Sequence, residues 1–159
     1  MGVSRFIRFG SMRRFLVSTS ATSAPAASRW KLFSALTGVT SLAIFLQAVT
    51  AGEFVSQDHR GGWIEVHNII SDVTLVVALG TAIFALVALR KFAPTLAWLS
   101  VVLFVLILIQ SILGHLITDS HADGWIGVHV PLAFVIFGLT AWISFRATAT
   151  RRAATASAG

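Results

Sequence analysis

From Leu32 onward the chain falls into four long apolar runs: Leu32–Gly52, Val66–Leu89, Phe92–Thr118 and Gly124–Phe145. Three carry no formal charge, and the second is broken only by Asp72. Each exceeds the ~20 apolar residues that a helix needs to cross a bilayer. The pattern predicts an all-α protein, an integral membrane four-helix bundle with helices at about 32–52, 64–90, 93–117 and 124–146. Pro94 suits the first turn of the third helix, where its missing N–H costs little. Pro131 lies near the start of the fourth and is tolerable there for a similar reason.

Composition supports this pattern. Of 159 residues, 56% are hydrophobic and 11% charged, and the mean hydropathy is +0.84. A water-soluble domain carries roughly 25% charged residues, so a soluble globule is excluded. Disorder is excluded as well, since it needs low hydrophobicity and high net charge. There is no cysteine. That removes disulfides, thiolate nucleophiles, iron–sulfur clusters and cysteine-based zinc sites, and leaves histidine, carboxylate and amide chemistry.

Charge sets the expected orientation. Residues 1–31 form a basic, Ser/Ala-rich arm containing Arg5, Arg8, Arg13, Arg14, Arg29 and Lys31 without an acid. Such a segment reads as a flexible cytoplasmic arm lying against anionic lipid, or as an organelle transit peptide. Arg90 and Lys91 lie between helices 2 and 3, and Arg146, Arg151 and Arg152 follow helix 4. The positive-inside rule then predicts both termini in the cytoplasm, with residues 147–159 as a flexible tail. A bacterial plasma membrane is the expected location, an organelle inner membrane the alternative. The net charge of +6 is thereby explained as a topology signal, with no nucleic-acid partner needed. All five histidines (His59, His67, His115, His121 and His129) fall towards the opposite, outer side.

The chain also repeats itself. Gly61-Gly62-Trp63-Ile64-Glu65-Val66-His67 matches Asp123-Gly124-Trp125-Ile126-Gly127-Val128-His129 at Gly, Trp, Ile, Val and His, at an offset of 62. His59 and His121 share that offset, and Gln47 meets Gln110 at 63. Helices 1–2 and 3–4 therefore read as two parallel copies of one hairpin, related by an axis along the membrane normal.

Such an axis places His67 and His129 in equivalent positions on helices 2 and 4. Facing inward, they would supply two opposed imidazoles, as a six-coordinate haem iron requires. Gly61, Gly62, Gly124 and Gly127 would allow backbone to approach a large flat ring, and Arg60 would lie near its propionates. At this point the residues resemble a known family. Phe45-Leu46-Gln47…Gly52, a polar loop and Trp63…His67 resemble the helix-pair unit of the haem A synthases and other b-type four-helix membrane cytochromes. Gln110…Gly114, a loop and Trp125…His129 resemble a second copy. The resemblance implies haem b as cofactor and His67 and His129 as its axial ligands. The chain is also similar to small bacterial four-helix membrane proteins, a resemblance that implies no activity.

Other readings stand beside this one. Trp63 and His67 are four residues apart and share a helix face, so they equally suit an anchor at the membrane surface. His59, Asp58 and Glu53 with His121, Asp119 and Asp123 offer imidazole and carboxylate ligands to zinc or copper, without the spacing of a compact metal motif. Asp72 is the one acid within a span, a candidate proton relay or a partner for a cofactor or quinone, or else a group bridging to a neighbouring helix. Gln47 and Gln110 are expected to hydrogen-bond between helices. Small residues in helix 1 (Ser34, Ala35, Thr37, Gly38, Thr40, Ser41, Ala43) are expected at helix contacts. By contrast, Leu96–Ile109 is mostly large aliphatics and is expected to face lipid over more of its circumference.

Two functions follow. One is electron transfer through a haem held by His67 and His129, with His115, His59 and His121 as secondary polar contacts and a quinone or another redox protein as partner. The other is an accessory subunit of a larger membrane complex, without a cofactor. No nucleophile–base set or phosphate-binding loop points to an enzyme.

Overall fold

The computed structural model describes residues 27–58 and 60–156. They form four long helices: α1 (Ala27–Ser56), α2 (Gly61–Ala88), α3 (Pro94–Ser120) and α4 (Ile126–Ala156), the last preceded by a single 3-10 turn, Asp123–Trp125. All four are long and apolar enough to cross a membrane. The basic arm lies outside the described residues as far as residue 26, and so does His59.

The helices outrun the apolar stretches that mark them. α1 begins at Ala27, ahead of Arg29 and Lys31, and α4 continues through Arg146, Arg151 and Arg152 to Ala156. Most of the segment expected as a flexible tail is thus helical. Helical hydrogen bonding continues wherever the backbone allows it, whereas hydropathy reports only the part that tolerates hydrocarbon. Pro94 stands in the first turn of α3. Pro131 lies inside α4, where its missing N–H frees the carbonyl of Gly127, four residues back on the exposed start of the helix.

The helices pack in a ring. α1 contacts α2 and α4, α3 contacts α2 and α4, and the diagonal pairs α1–α3 and α2–α4 stay apart. The inner faces follow helical spacing: Phe33, Thr37, Thr40 and Ile44 on α1, Thr74, Ala78, Thr81 and Ala85 on α2, Ser100, Leu103 and Ile107 on α3, and Ile136, Thr140 and Ile143 on α4. Many of these residues are small or carry a hydroxyl. The hydroxyls are satisfied within their own helices, as in Thr40 Oγ1 to Leu36 O at 2.9 Å, Thr81 Oγ1 to Val77 O at 2.7 Å and Thr140 Oγ1 to Ile136 O at 2.7 Å. The large side chains Leu42, Val76, Val87, Phe134 and Phe145 point outward instead. Small residues inside and bulky apolar ones outside suit a bundle solvated by hydrocarbon, where close backbone approach drives helix association.

α3 differs from expectation. Its apolar stretch is 39% buried, against 17–28% in the other three. Leu96, Leu103 and Ile107 fill the core rather than facing lipid. The reason is complementarity. The inner face of the neighbouring α2 is Thr and Ala, and the large aliphatics of α3 occupy the volume those small residues leave.

Candidate functional site

A cavity of about 390 Å³ lies among all four helices, in the half of the bundle nearest the α1–α2 and α3–α4 connections. Its walls include Ile44, Ile107 and Ile136, and its polar residues include Gln47, His67, Gln110, His115 and His129. The volume lies within the ~300–1,000 Å³ of small-molecule and cofactor sites.

The two halves of the site are built alike. Gln47 Nε2 donates to His67 O at 2.8 Å, and Gln110 Nε2 donates to His129 O at 3.0 Å. The same hydrogen bond thus ties α1 to α2 and α3 to α4, each time at the histidine that lines the cavity. Since α2 and α4 are diagonal, the two imidazoles enter the cavity from opposite sides of the ring of helices. The repeat therefore reaches beyond sequence: it fixes two equivalent tertiary contacts.

The histidine side chains are held differently. His67 Nδ1 lies 3.0 Å from Thr50 Oγ1, and that hydroxyl is 3.1 Å from both Leu46 O and Gln47 O. A hydroxyl has one proton to give. Where that proton goes to its own helix's carbonyls, Thr50 Oγ1 accepts from His67 Nδ1–H. The lone pair then sits on Nε2, which no hydrogen bond engages. Phe54 packs edge-on against the ring, centroids 5.4 Å apart. In the second half, the counterpart of Thr50 is Leu113, and His129 Nδ1 is buried without a partner, as is Gln110 Oε1. An ideal Cβ on Gly114 would stand 3.4 Å from His129 Cε1, so this glycine gives the ring its space.

The remaining sequence candidates scatter. His115 stands at the rim of the cavity, 47% exposed, with Nδ1 3.6 Å from Asp119 Oδ2. His121 is not at the cavity. It is the C-cap of α3, in the left-handed conformation (φ 51°), with its N–H donating to Leu116 O. Its fixed role is in ending a helix. Gly61, Gly62, Gly124 and Gly127 face open space and line no part of the cavity. They lie exposed at or just before the starts of α2 and α4, two to six residues before the histidines.

Asp72 is also outside the cavity. It is exposed on the outer face of α2, between Ile69 and Val76, and bridges to no neighbouring helix. The inward stripe of α2 runs His67, Ser71, Thr74 and Ala78, and one further residue turns a side chain ~100° away from it. Among the described residues, no three histidines or carboxylates gather as a metal-binding group, so Glu53, Asp58, Asp119, His121 and Asp123 form no loop site.

Thr50 and Phe54 carry no distinguishing signal as site residues, whereas Gly114 stands in the repeated motif. Threonines are common along α1, and only the location of His67 gives Thr50 its meaning. No protein-family model, curated protein or solved structure matches the chain.

Proposed function

We propose that this is a multi-pass membrane protein that holds one b-type haem in the bundle cavity, with His67 and His129 as axial ligands, and passes electrons through it. The observation that carries the reading is the pair of equivalent histidines lining one cavity from diagonal helices, the backbone carbonyl of each bonded by a matched glutamine. Three features fit such a group. His67 is oriented through Nδ1 by Thr50, the outer hydrogen bond that fixes a ligating imidazole and leaves Nε2 to bind. His129 lines the cavity from the opposite side with its Nδ1 buried, so Nε2 is the ring nitrogen open to a ligand. The walls are apolar and there is no competing thiolate.

A bound haem supplies one-electron chemistry at its iron. The chain supplies the rest. The Gln–carbonyl bonds hold the helices in register, Thr50 sets the tautomer of His67, and Gly114 leaves clearance for His129. The isoleucines and phenylalanines keep water from the ring.

Haemin titrated into purified, detergent-solubilised protein tests the reading. Saturation at one haem per chain is expected, with binding lost in both His67→Ala and His129→Ala and kept in His121→Ala. Equal haem uptake by the wild type and both alanine variants would show that these histidines do not hold it.

A further inference from the structure

The cavity has a mouth, and its position is fixed by which wall residues are also exposed. α1 and α4 touch at Ser41 and Ser144, whose hydroxyl oxygens are 3.0 Å apart. Residues four and seven beyond Ser41 continue the same face of α1: Phe45 and Ala48. Residues seven and fourteen before Ser144 continue the facing stripe of α4: Phe137 and Val130. All four line the cavity and all four are exposed, Phe45 at 53%, Phe137 at 43% and Val130 at 47%. Phe134 beside them is 74% exposed. On the opposite wall, the lining residues of α2 and α3 from His67 to Thr74 and from Ile107 to Gly114 are buried or half-buried. Beyond the Ser41–Ser144 contact, the cavity wall formed by α1 and α4 is thus the exposed one.

The repeat shows why only one side opens. It relates the α1–α4 seam to the α3–α2 seam. There, Ser71 Oγ donates to Ser111 Oγ at 3.5 Å across the cavity wall. Their counterparts in the open seam are Ala133 and Ala48, which have no hydroxyl to join. The mouth also lies within the apolar stretch. Ala48 is four residues before its end at Gly52, about 6 Å along the axis at 1.5 Å per residue. At that depth in a spanning helix the opening faces hydrocarbon rather than water.

We infer that the cavity is loaded sideways from the bilayer, through a portal between α1 and α4 framed by Phe45, Ala48, Phe134 and Phe137. The ligand class is an amphipathic, membrane-dissolved molecule with a broad apolar body. Its identity as haem rests on the preceding reading, whereas the portal is a property of the chain alone.

The chain has no cysteine, so single sites are cleanly labelled. Nitroxide is placed at Ala48→Cys, in the open seam, and at Ser111→Cys, its counterpart in the closed one, in vesicles without haem. The label at position 48 is expected to collide freely with oxygen, which concentrates in lipid, and not with a water-soluble nickel chelate. The label at position 111 is expected to be shielded from both. Strong nickel collisions at 48 would mean an aqueous route past His115, and shielding from both reagents would mean a closed seam; either overturns the portal. Separately, Ala48→Trp, which plugs the mouth, is expected to slow haem uptake from haem-loaded vesicles roughly tenfold, an added barrier of about 1.4 kcal/mol. Unchanged uptake by Ala48→Trp would overturn the route. Oxygen access at 48 in a protein that takes up no haem would overturn the haem assignment and leave the portal standing.

Discussion

Thr50→Val removes one hydroxyl and keeps the shape of the side chain. Thr50 is buried, and its oxygen is the partner of His67 Nδ1 at 3.0 Å. Without it, the Nδ1–H faces a methyl group. Hydrogen bonds between membrane helices are worth about 0.6–1.7 kcal/mol, so a loss of that size is expected. The second half of the bundle offers the reverse experiment. Leu113 stands where Thr50 stands in the first half, and His129 Nδ1 has no partner. Leu113→Val and Leu113→Thr each shorten the side chain, at about 0.8 kcal/mol per lost methylene. Only threonine can accept from the imidazole. Leu113→Thr is therefore expected to exceed Leu113→Val in stability by about 0.6–1.7 kcal/mol, although a free polar group in the same place would make it the weaker of the two. Reversible unfolding in mixed detergent, followed by helical circular dichroism, measures all three variants. Thr50→Val as stable as the parent, together with Leu113→Thr below Leu113→Val, would refute the pairing of these imidazoles with the neighbouring helix position.

His121→Gly is expected to raise stability by up to about 1 kcal/mol, because the C-cap of α3 has φ 51°, a conformation that costs a side-chain-bearing residue and suits glycine; a fall in the unfolding midpoint would contradict this. Asp72→Asn is expected to leave haem binding and its spectrum unchanged, since Asp72 faces away from the cavity; a shifted absorption band would place it in the site after all. Ser41→Ala and Ser144→Ala are expected to be coupled in a double-mutant cycle by about 0.6 kcal/mol, the usual strength of such a bond between membrane helices, and strict additivity would show that the contact carries no energy.

The repeated motif made the central residues legible before any coordinates. A match of Gln47 with Gln110 and of His67 with His129 predicts equivalent places, and the structure gives them equivalent hydrogen bonds. Helix number and rough extent followed from hydropathy, because each span has to satisfy hydrocarbon along its whole length. Rotation about each helix axis was less legible. Asp72 is one residue from the inward-facing Ser71, and hydropathy alone does not say which of the two turns inside. The burial of Leu103 and Ile107 likewise depends on small residues contributed by other helices. Contacts between partners distant in sequence, such as Thr50 with His67 and Ser71 with Ser111, needed the ring order of the helices to be known. The exposed cavity wall between α1 and α4 was hidden for the same reason, since it depends on which helices are neighbours.

The reduced-minus-oxidised absorption spectrum of the protein, purified after expression with ample haem, tests the paired-imidazole site most directly. The account predicts a sharp α band and a Soret band of low-spin haem in the wild type and in His121→Ala. Both bands should be lost in His67→Ala and in His129→Ala. A colourless wild-type protein under those conditions, or a low-spin spectrum that survives both alanine substitutions, would contradict it.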